Sequence, residues 1–234
     1  MLKDKNILLG ISGSIAAYKA PELVRLLKKQ QAKVKIVLTG NAVNFVGLSS
    51  LATLSENSVS LDMFKQPEQT DTRHISLSEW ADLFLVAPAT ANIIAKFANG
   101  ISDDFLSTTY LGITGPVILA PAMNSRMYLH PATQNNIKKL KKAGVMFIEP
   151  EKGPLACGDS GIGRMAEPSR ITDTVSAAFT GLILKNYRVL VTAGGTREKI
   201  DPVRCITNFS SGKMGHAFAN TAAQLGAEVT LIST

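Results

Sequence analysis

The chain has 234 residues, 45% of them hydrophobic and 18% charged, and its 25 Lys and Arg against 18 Asp and Glu give a formal net charge of +7. That supply of apolar side chains can build a sizeable core, which excludes a disordered chain, and the length suits one full α/β domain with a remainder or two small domains. A repeat array and a peptide hormone are excluded.

The positive balance favours anionic ligands such as phosphates. The basic residues are scattered, however, and the short clusters Lys28-Lys29, Lys138-Lys139 and Lys141-Lys142 read as solvated helix faces without interleaved aromatics, so no nucleic-acid partner is expected. The two cysteines, Cys157 and Cys205, are far apart and form no CxxC, which leaves neither a disulfide framework nor a zinc ribbon and fits a reducing cytoplasm. Lys3 and Lys5 precede the apolar stretch 7–17, but Gly10, Ser12, Gly13 and Ser14 break it, so it reads as strand, loop and helix start rather than a signal peptide. No run of about 18 apolar residues occurs, so no transmembrane helix and no membrane partner are expected.

Short apolar runs at 6–11, 34–39, 82–87, 117–120 and 145–148 suit buried parallel strands, and helical patterns separate them. This alternation predicts an α/β fold with a doubly wound parallel sheet. The helix over 15–30 carries an apolar stripe of Leu23, Leu26 and Leu27, and Pro21 should kink or divide it. The helix over 131–143 should end at Gly144. Residues 151–169, with four glycines and two prolines, show neither period and read as a long functional loop, a lid or a disordered stretch. A helix over 171–184 follows, then a boundary at Lys185-Asn186 and a fresh strand, loop, helix and strand at 188–192, 193–203, 213–225 and 228–232. One such unit cannot bury both faces of its strands, so it reads as the opening of a second domain. The expected division is 1–184 and 185–234.

In open α/β sheets ligands bind at the carboxyl ends of the strands. After the first strand, Gly10-Ile-Ser-Gly13-Ser14 offers backbone amides at a helix start, which suits a phosphate and equally suits a tight turn that needs glycine. Thr39, at the end of the second strand, can add a hydroxyl. In 87–92, Thr90 serves either as helix cap or as cofactor contact. The segment 121–128 places Met123, Met127 and Tyr128 around Asn124 and Arg126; Asn and Arg suit a carboxylate and Met suits a flat ring, although Met at this spacing also fills cores. His74 is a lone histidine before a helix or extended segment leading to Trp80, while His130 and His216 carry no second signal. Cys157 lies in the glycine-rich loop, where a reactive thiol and a core thiol are both open readings. Farther on, Gly194, Gly195 and Thr196 form another anion-suited loop; Ser210, Ser211 and Lys213 enter a helix, and the spacing of GxxxxGK[ST] is not met, which excludes a P-loop NTPase.

Together, GSIAAYK at 13–19, His74, APATAN at 87–92, PAMNSRMY at 121–128 and ACGDSGIGRM at 156–165 resemble the flavin-containing cysteine decarboxylases over about residues 5–180. From Arg188 onward, VTAGGTREKIDPVR and NFSSGKMG are similar to the start of phosphopantothenate–cysteine ligase, and the two in tandem resemble the bacterial bifunctional coenzyme A biosynthesis proteins. The resemblance implies a Rossmann-like flavoprotein that decarboxylates 4'-phosphopantothenoylcysteine to 4'-phosphopantetheine with FMN, through a thioaldehyde that gives the departing carboxylate an electron sink.

By position, Gly13, Ser14, Ile15 and Thr39 would hold the FMN phosphate end, with Thr90, Ala91, Asn92, Ala122 and Met123 near the flavin. His74 would act in oxidative decarboxylation, Asn124 would bind the substrate carboxylate, and Cys157 would donate the final proton. Gly158, Asp159, Arg164 and Met165 would contact substrate from the same clamping loop. Tyr128 stands where the family usually has Trp, and Thr90 where Ser or Asp is common. Gly194, Gly195, Thr196, Arg204, Asn208, Ser210, Ser211 and Lys213 would belong to a nucleotide or acyl-cytidylate site. CTP and Mg2+ are implied only for a full-length ligase, and no metal for the first domain. A homo-oligomer, trimer or dodecamer, with FMN between subunits is also implied. The alternatives are a flavin prenyltransferase relative, whose basic prenyl-phosphate set is missing here, and a non-catalytic flavoprotein regulatory subunit.

Overall fold

The computed structural model describes residues 2–61, 72–154, 160–181 and 184–233. It divides into two compact units, Met1–Val175 and Ser176–Thr234.

In the first unit the apolar runs become strands. β1 (Asn6–Ile11) leads through a 3-10 turn at Ile15–Lys19 into α1 (Ala20–Lys29), where Pro21 occupies the first turn and divides the two helical forms. Then follow β2 (Lys33–Leu38), a 3-10 turn at Gly40–Asn44, α2 (Leu48–Ser55), the short β3 (Val59–Ser60) and α3 (Arg73–Trp80). β4 (Leu83–Ala89), α4 (Ala91–Asn99), α5 (Phe105–Gly112) and β5 (Val117–Pro121) come next. They are followed by α6 (Ser125–Leu129), α7 (Pro131–Lys142), closed by Gly144 at φ +90°, and β6 (Met146–Phe147).

The six strands form one parallel sheet in the order β3-β2-β1-β4-β5-β6, with Leu9 beside Ile36, Ile7 beside Leu83 and Leu85 beside Ile118. Every residue of β4 and β5 is buried, as expected of central strands covered by helices on both faces. Phe84, Phe105, Leu8 and Leu119 are among the fully buried side chains, each contributing about 1.5–3 kcal/mol through removal from water. The strand order reverses direction between β1 and β4, and this places the sheet's crevice between them.

The expectation of an aperiodic loop over 151–169 is corrected. β7 (Glu151–Pro154) and β8 (Ser160–Arg164) pair antiparallel, and α8 (Pro168–Thr180) follows. Glycines at 153, 161 and 163 remove the apolar alternation by which such strands are recognised.

In the second unit β9 (Arg188–Ala193) pairs parallel with β12 (Glu228–Ser233), joined through α9 (Lys213–Gln224). Between β9 and α9, where only a loop over 193–203 was expected, a small hairpin begins within that stretch and ends beyond it, β10 (Arg197–Lys199) with β11 (Cys205–Thr207). Gly215 lets α9 lie against β9, since a Cβ there would come within 2.6 Å of the Ala193 Cβ. No helix among the described residues is long and apolar enough to cross a membrane.

Candidate functional site

Because the sheet is parallel, β1, β2, β4 and β5 all end on one edge. The loops leaving them enclose a cleft of about 480 Å³ lined by Ser12, Gly13 and Ser14, by Thr39, Gly40 and Asn41, by Thr90 to Ile93, and by Ala122 and Met123.

Ser12 ties two of these loops together. Its buried hydroxyl donates to the Pro88 carbonyl at 2.8 Å, accepts the Thr90 N–H at 3.0 Å and lies 3.2 Å from Thr90 Oγ1. Thr90 in turn caps α4 by accepting the Ile93 N–H at 3.3 Å, so it is both helix cap and cleft wall. Gly13 is a close-approach glycine: a Cβ there would stand 2.6 Å from the Asn41 Cβ. Ser14 caps the 3-10 turn through the Ala16 N–H at 3.3 Å, and the Thr39 side chain makes no cap bond at the turn it precedes. The Ala122 N–H donates to the Ala89 carbonyl at 3.0 Å, which fixes the fourth loop against the third.

On one wall the α4 lysine Lys96 reaches Asp103 and Asp104, each at 2.6 Å. Burial pulls its pKa down, but the two carboxylate hydrogen bonds outweigh this and hold it above the ordinary lysine value.

Behind Met123 the β7–β8 hairpin is docked on the β5–α6 loop. The Met123 N–H donates to the Gly163 carbonyl at 3.0 Å. Gly163, at φ +143°, and Gly161 pass so close to the Met123 carbonyl and the Ser125 hydroxyl that a Cβ at either would overlap them. Beyond β8, Glu167 accepts from Lys19 at 2.9 Å and pairs with Arg164, and its carboxyl is held below the usual range, first by the Lys19 hydrogen bond. Tyr128 is buried and donates to Glu149 at 2.8 Å; burial and then that bond push its pKa up to about 12.

Of the residues expected at the site, Gly13, Ser14, Thr39, Thr90, Ala91, Asn92, Ala122 and Met123 line this one cleft. Ile15 adjoins it and is 54% exposed. Asn124 caps α6 through the Arg126 N–H at 2.8 Å, Arg164 is engaged by Glu167, and Met165 is buried; none of the three lines the cleft. His74 lies in the first turn of α3, away from the cleft lining, and its Nδ1 is enclosed without a hydrogen-bond partner. Cys157, Gly158 and Asp159 lie outside the described residues.

Ser12, Gly40, Asn41, Lys96 and Asp104 also line the cleft and carry no role in the sequence reading, and Met127, read from the sequence as suited to a flat ring or to a core, lines it too. The spacing of Lys96 four residues after Asn92 was the one legible signal, because it puts both on one helix face.

In the second unit Gly194 has φ +106°, and a Cβ at Gly195 would lie 2.9 Å from Asn208 Oδ1, which accepts the Ser210 N–H at 3.0 Å. Gly212 approaches the Gly194 amide just before Lys213 opens α9, and Ser211 immediately precedes Gly212. The Thr207 hydroxyl donates to the Thr196 carbonyl at 3.0 Å, and Arg204 pairs with Asp201 at 2.6 Å on the hairpin. Gly194, Gly195 and Asn208 are therefore together, while Arg204 is committed to a local carboxylate. Among the described residues no group of three or more His, Cys, Asp or Glu is arranged to hold a metal ion.

The chain was compared with known proteins. It is 50% identical over its whole length to the coenzyme A biosynthesis bifunctional protein CoaBC of Bacillus subtilis, of which it spans 58%. A solved PPC decarboxylase mutant complexed with pantothenoylaminoethenethiol is 34% identical with a TM-score of 0.69, and the match covers 76% of this chain and all of that one. The FMN binding protein AtHal3 is 35% identical with a TM-score of 0.65, over 74% of this chain and 96% of its own. The profile of the DNA/pantothenate metabolism flavoprotein C-terminal domain matches residues 184–234. The Flavoprotein family profile matches residues 1–180, and the chain belongs to that family.

Proposed function

We propose that residues 1–184 are an FMN-dependent decarboxylase domain that converts 4'-phosphopantothenoylcysteine to 4'-phosphopantetheine in coenzyme A biosynthesis. Residues 185–234 are proposed as the start of a phosphopantothenate–cysteine ligase domain, with CTP and Mg2+ serving only the full-length bifunctional protein. The observation that carries the reading is the cleft at the β1/β4 crevice, in a chain 34% identical to a PPC decarboxylase that holds a pantothenoyl compound.

The residues present fit FMN. The cleft volume falls within the roughly 300–1,000 Å³ usual for small-molecule sites. At Gly13 only glycine leaves the turn and Asn41 their close approach, and Ser14 and Thr39 put hydroxyls beside a helix start, which suits a phosphate. Thr90, Ala91 and Asn92 would contact the flavin's polar edge, with Ala122 and Met123 against its ring. When bound, FMN supplies a reversible electron acceptor for the thiol-bearing carbon of the substrate.

The chain's own residues orient the substrate and handle protons. Asn124 is assigned to the substrate carboxylate, whose transfer out of water favours its loss as uncharged CO2. Gly158, Asp159, Arg164 and Met165 are assigned to the rest of the substrate, and Cys157 to protonation of the decarboxylated product. His74 is assigned to the oxidative decarboxylation step.

The reading includes a homo-oligomer with cofactor sites between subunits. Ile15, Tyr18, Met127 and Leu129, on segments bordering the cleft, are 54%, 61%, 50% and 61% exposed, and a second copy would remove them from water. In such an assembly His74 would serve a neighbour's cleft.

The test is anaerobic incubation of the purified yellow protein with 4'-phosphopantothenoylcysteine, with 4'-phosphopantetheine quantified by mass spectrometry alongside Cys157→Ser. Turnover by wild type, with the variant stalled at a decarboxylated product two hydrogens lighter, supports the reading. Flavin-loaded protein that makes no product would replace it with a non-catalytic flavoprotein, and colourless protein would remove the flavin altogether.

A further inference from the structure

Charge is distributed unevenly in the cleft. The end suited to phosphate, at Gly13, Ser14 and Thr39, offers hydroxyls and backbone, and among the described residues lining the cleft only Lys96 and Asp104 are charged. The Lys96 side chain is 16% exposed, and its Nζ lies 2.6 Å from Asp103 Oδ1 and 2.6 Å from Asp104 Oδ2.

Asp104 is itself held in place as the N-cap of α5. It accepts the Ser107 N–H at 2.8 Å, and the Asp104 N–H donates to Ser107 Oγ at 3.1 Å in a reciprocal capping box. One carboxylate would neutralise the lysine. The second leaves the triplet, one cation with two anions, at a net charge of minus one, with Lys96 and Asp104 on the cleft wall and the more exposed Asp103 beside them.

Building on the FMN reading above, we propose that Lys96, Asp103 and Asp104 tune the flavin by lowering the reduction potential of a ring bound in this cleft. Uptake of two electrons and one proton leaves the ring with one more negative charge, and a fixed net-negative group disfavours that form relative to the oxidised one. In the proposed reaction those electrons leave the substrate's thiol-bearing carbon and return to the decarboxylated product. No outside reductant is consumed, and a ring of lowered potential gives the electrons back more readily.

The experiment measures midpoint potentials of the FMN-loaded protein at low ionic strength, by reduction beside a reference dye. Wild type is compared with Asp103→Asn, Asp104→Asn, Lys96→Met and the double variant Lys96→Met/Asp104→Asn. Asn at 104 retains a capping side chain. Each Asp→Asn change raises the potential, Asp104 more than Asp103 because the Asp103 side chain is 60% exposed and better screened. Lys96→Met lowers it. The double variant restores a net charge of minus one and returns the potential to the wild-type value.

Potentials that do not move, or that move in one direction for all the single variants, overturn the proposal, because a purely structural role has no reason to follow the sign of the charge. The exposed Asp103 keeps the test readable if a change at Lys96 prevents folding. Wild-type protein that takes up no flavin overturns the FMN reading itself, and is seen before any potential is measured.

Discussion

Lys19, with 7% of its side chain exposed, sets its Nζ 2.9 Å from Oε1 of Glu167, a residue 148 positions later, and the Arg164 guanidinium closes on the same oxygen. One carboxylate thus joins the 3-10 turn that begins at the cleft to the strand docked on Met123. A nearly buried ammonium needs that partner, because an unpaired charge out of water is costly.

Glu167→Ala strands the Lys19 cation and is expected to lower stability by about 1–3 kcal/mol. This is less than for a fully buried pair, since Glu167 is 42% exposed. Urea midpoints measure it. The Glu167 carboxyl is depressed below the ordinary 4.5, so its contribution is present above that value and lost as pH falls through the lower folded-state pKa. The stability gap between wild type and Glu167→Gln should therefore be largest near neutrality and close in acid; a gap that persists unchanged near pH 3 would rule out the ionised carboxylate as its source.

Gly13→Ala puts a methyl group 2.6 Å from the Asn41 Cβ. One of the two loops must retreat, and the cleft changes shape at the end assigned to phosphate. Flavin affinity, read by fluorescence quenching, is expected to fall at least about tenfold, which corresponds to roughly 1.4 kcal/mol. Affinity equal to wild type would place the cofactor elsewhere.

Ser12→Ala removes the acceptor of the Thr90 amide and the donor to the Pro88 carbonyl. The Pro88 carbonyl keeps the Ser12 N–H at 3.2 Å, but the part-buried Thr90 N–H is left without its acceptor, at a cost of about 1–3 kcal/mol. Thermal unfolding of the apoprotein measures this independently of cofactor, and a melting temperature equal to wild type would show that water replaces the hydroxyl.

Tyr128→Phe keeps the buried ring and deletes the bond to Glu149, which retains Lys141 at 2.8 Å. The expected loss is about 1 kcal/mol by urea denaturation. A loss as large as that of a core truncation would mean that the hydroxyl organises more than this one contact.

Much of this architecture is legible in the linear pattern. The runs at 6–11, 34–39, 82–87 and 117–120 lie within a residue or two of β1, β2, β4 and β5, because strands buried on both faces must be apolar without interruption. Pro21 marked the change from 3-10 turn to α-helix, and Gly144 the end of α7. The β7–β8 hairpin was illegible for the converse reason. Gly161 and Gly163 are there to admit the Ser125 hydroxyl and the Met123 carbonyl, and their side-chain-free backbone erases the period of a strand.

The sequence alone determined the central strands β1, β2, β4 and β5 and helices such as α1 and α7, and which short loops carry glycine, hydroxyl and amide groups at strand ends. These depend on neighbours within a few residues, where periodicity and capping chemistry act. Only the tertiary structure decided that the sheet runs β3-β2-β1-β4-β5-β6, that Ser12 meets Pro88 and Thr90, and that Lys19 meets Glu167. Those contacts join residues 76 to 148 positions apart. Such pairs leave no local signature, because each residue type is equally at home on a solvated loop until the packed sheet brings its partner within reach.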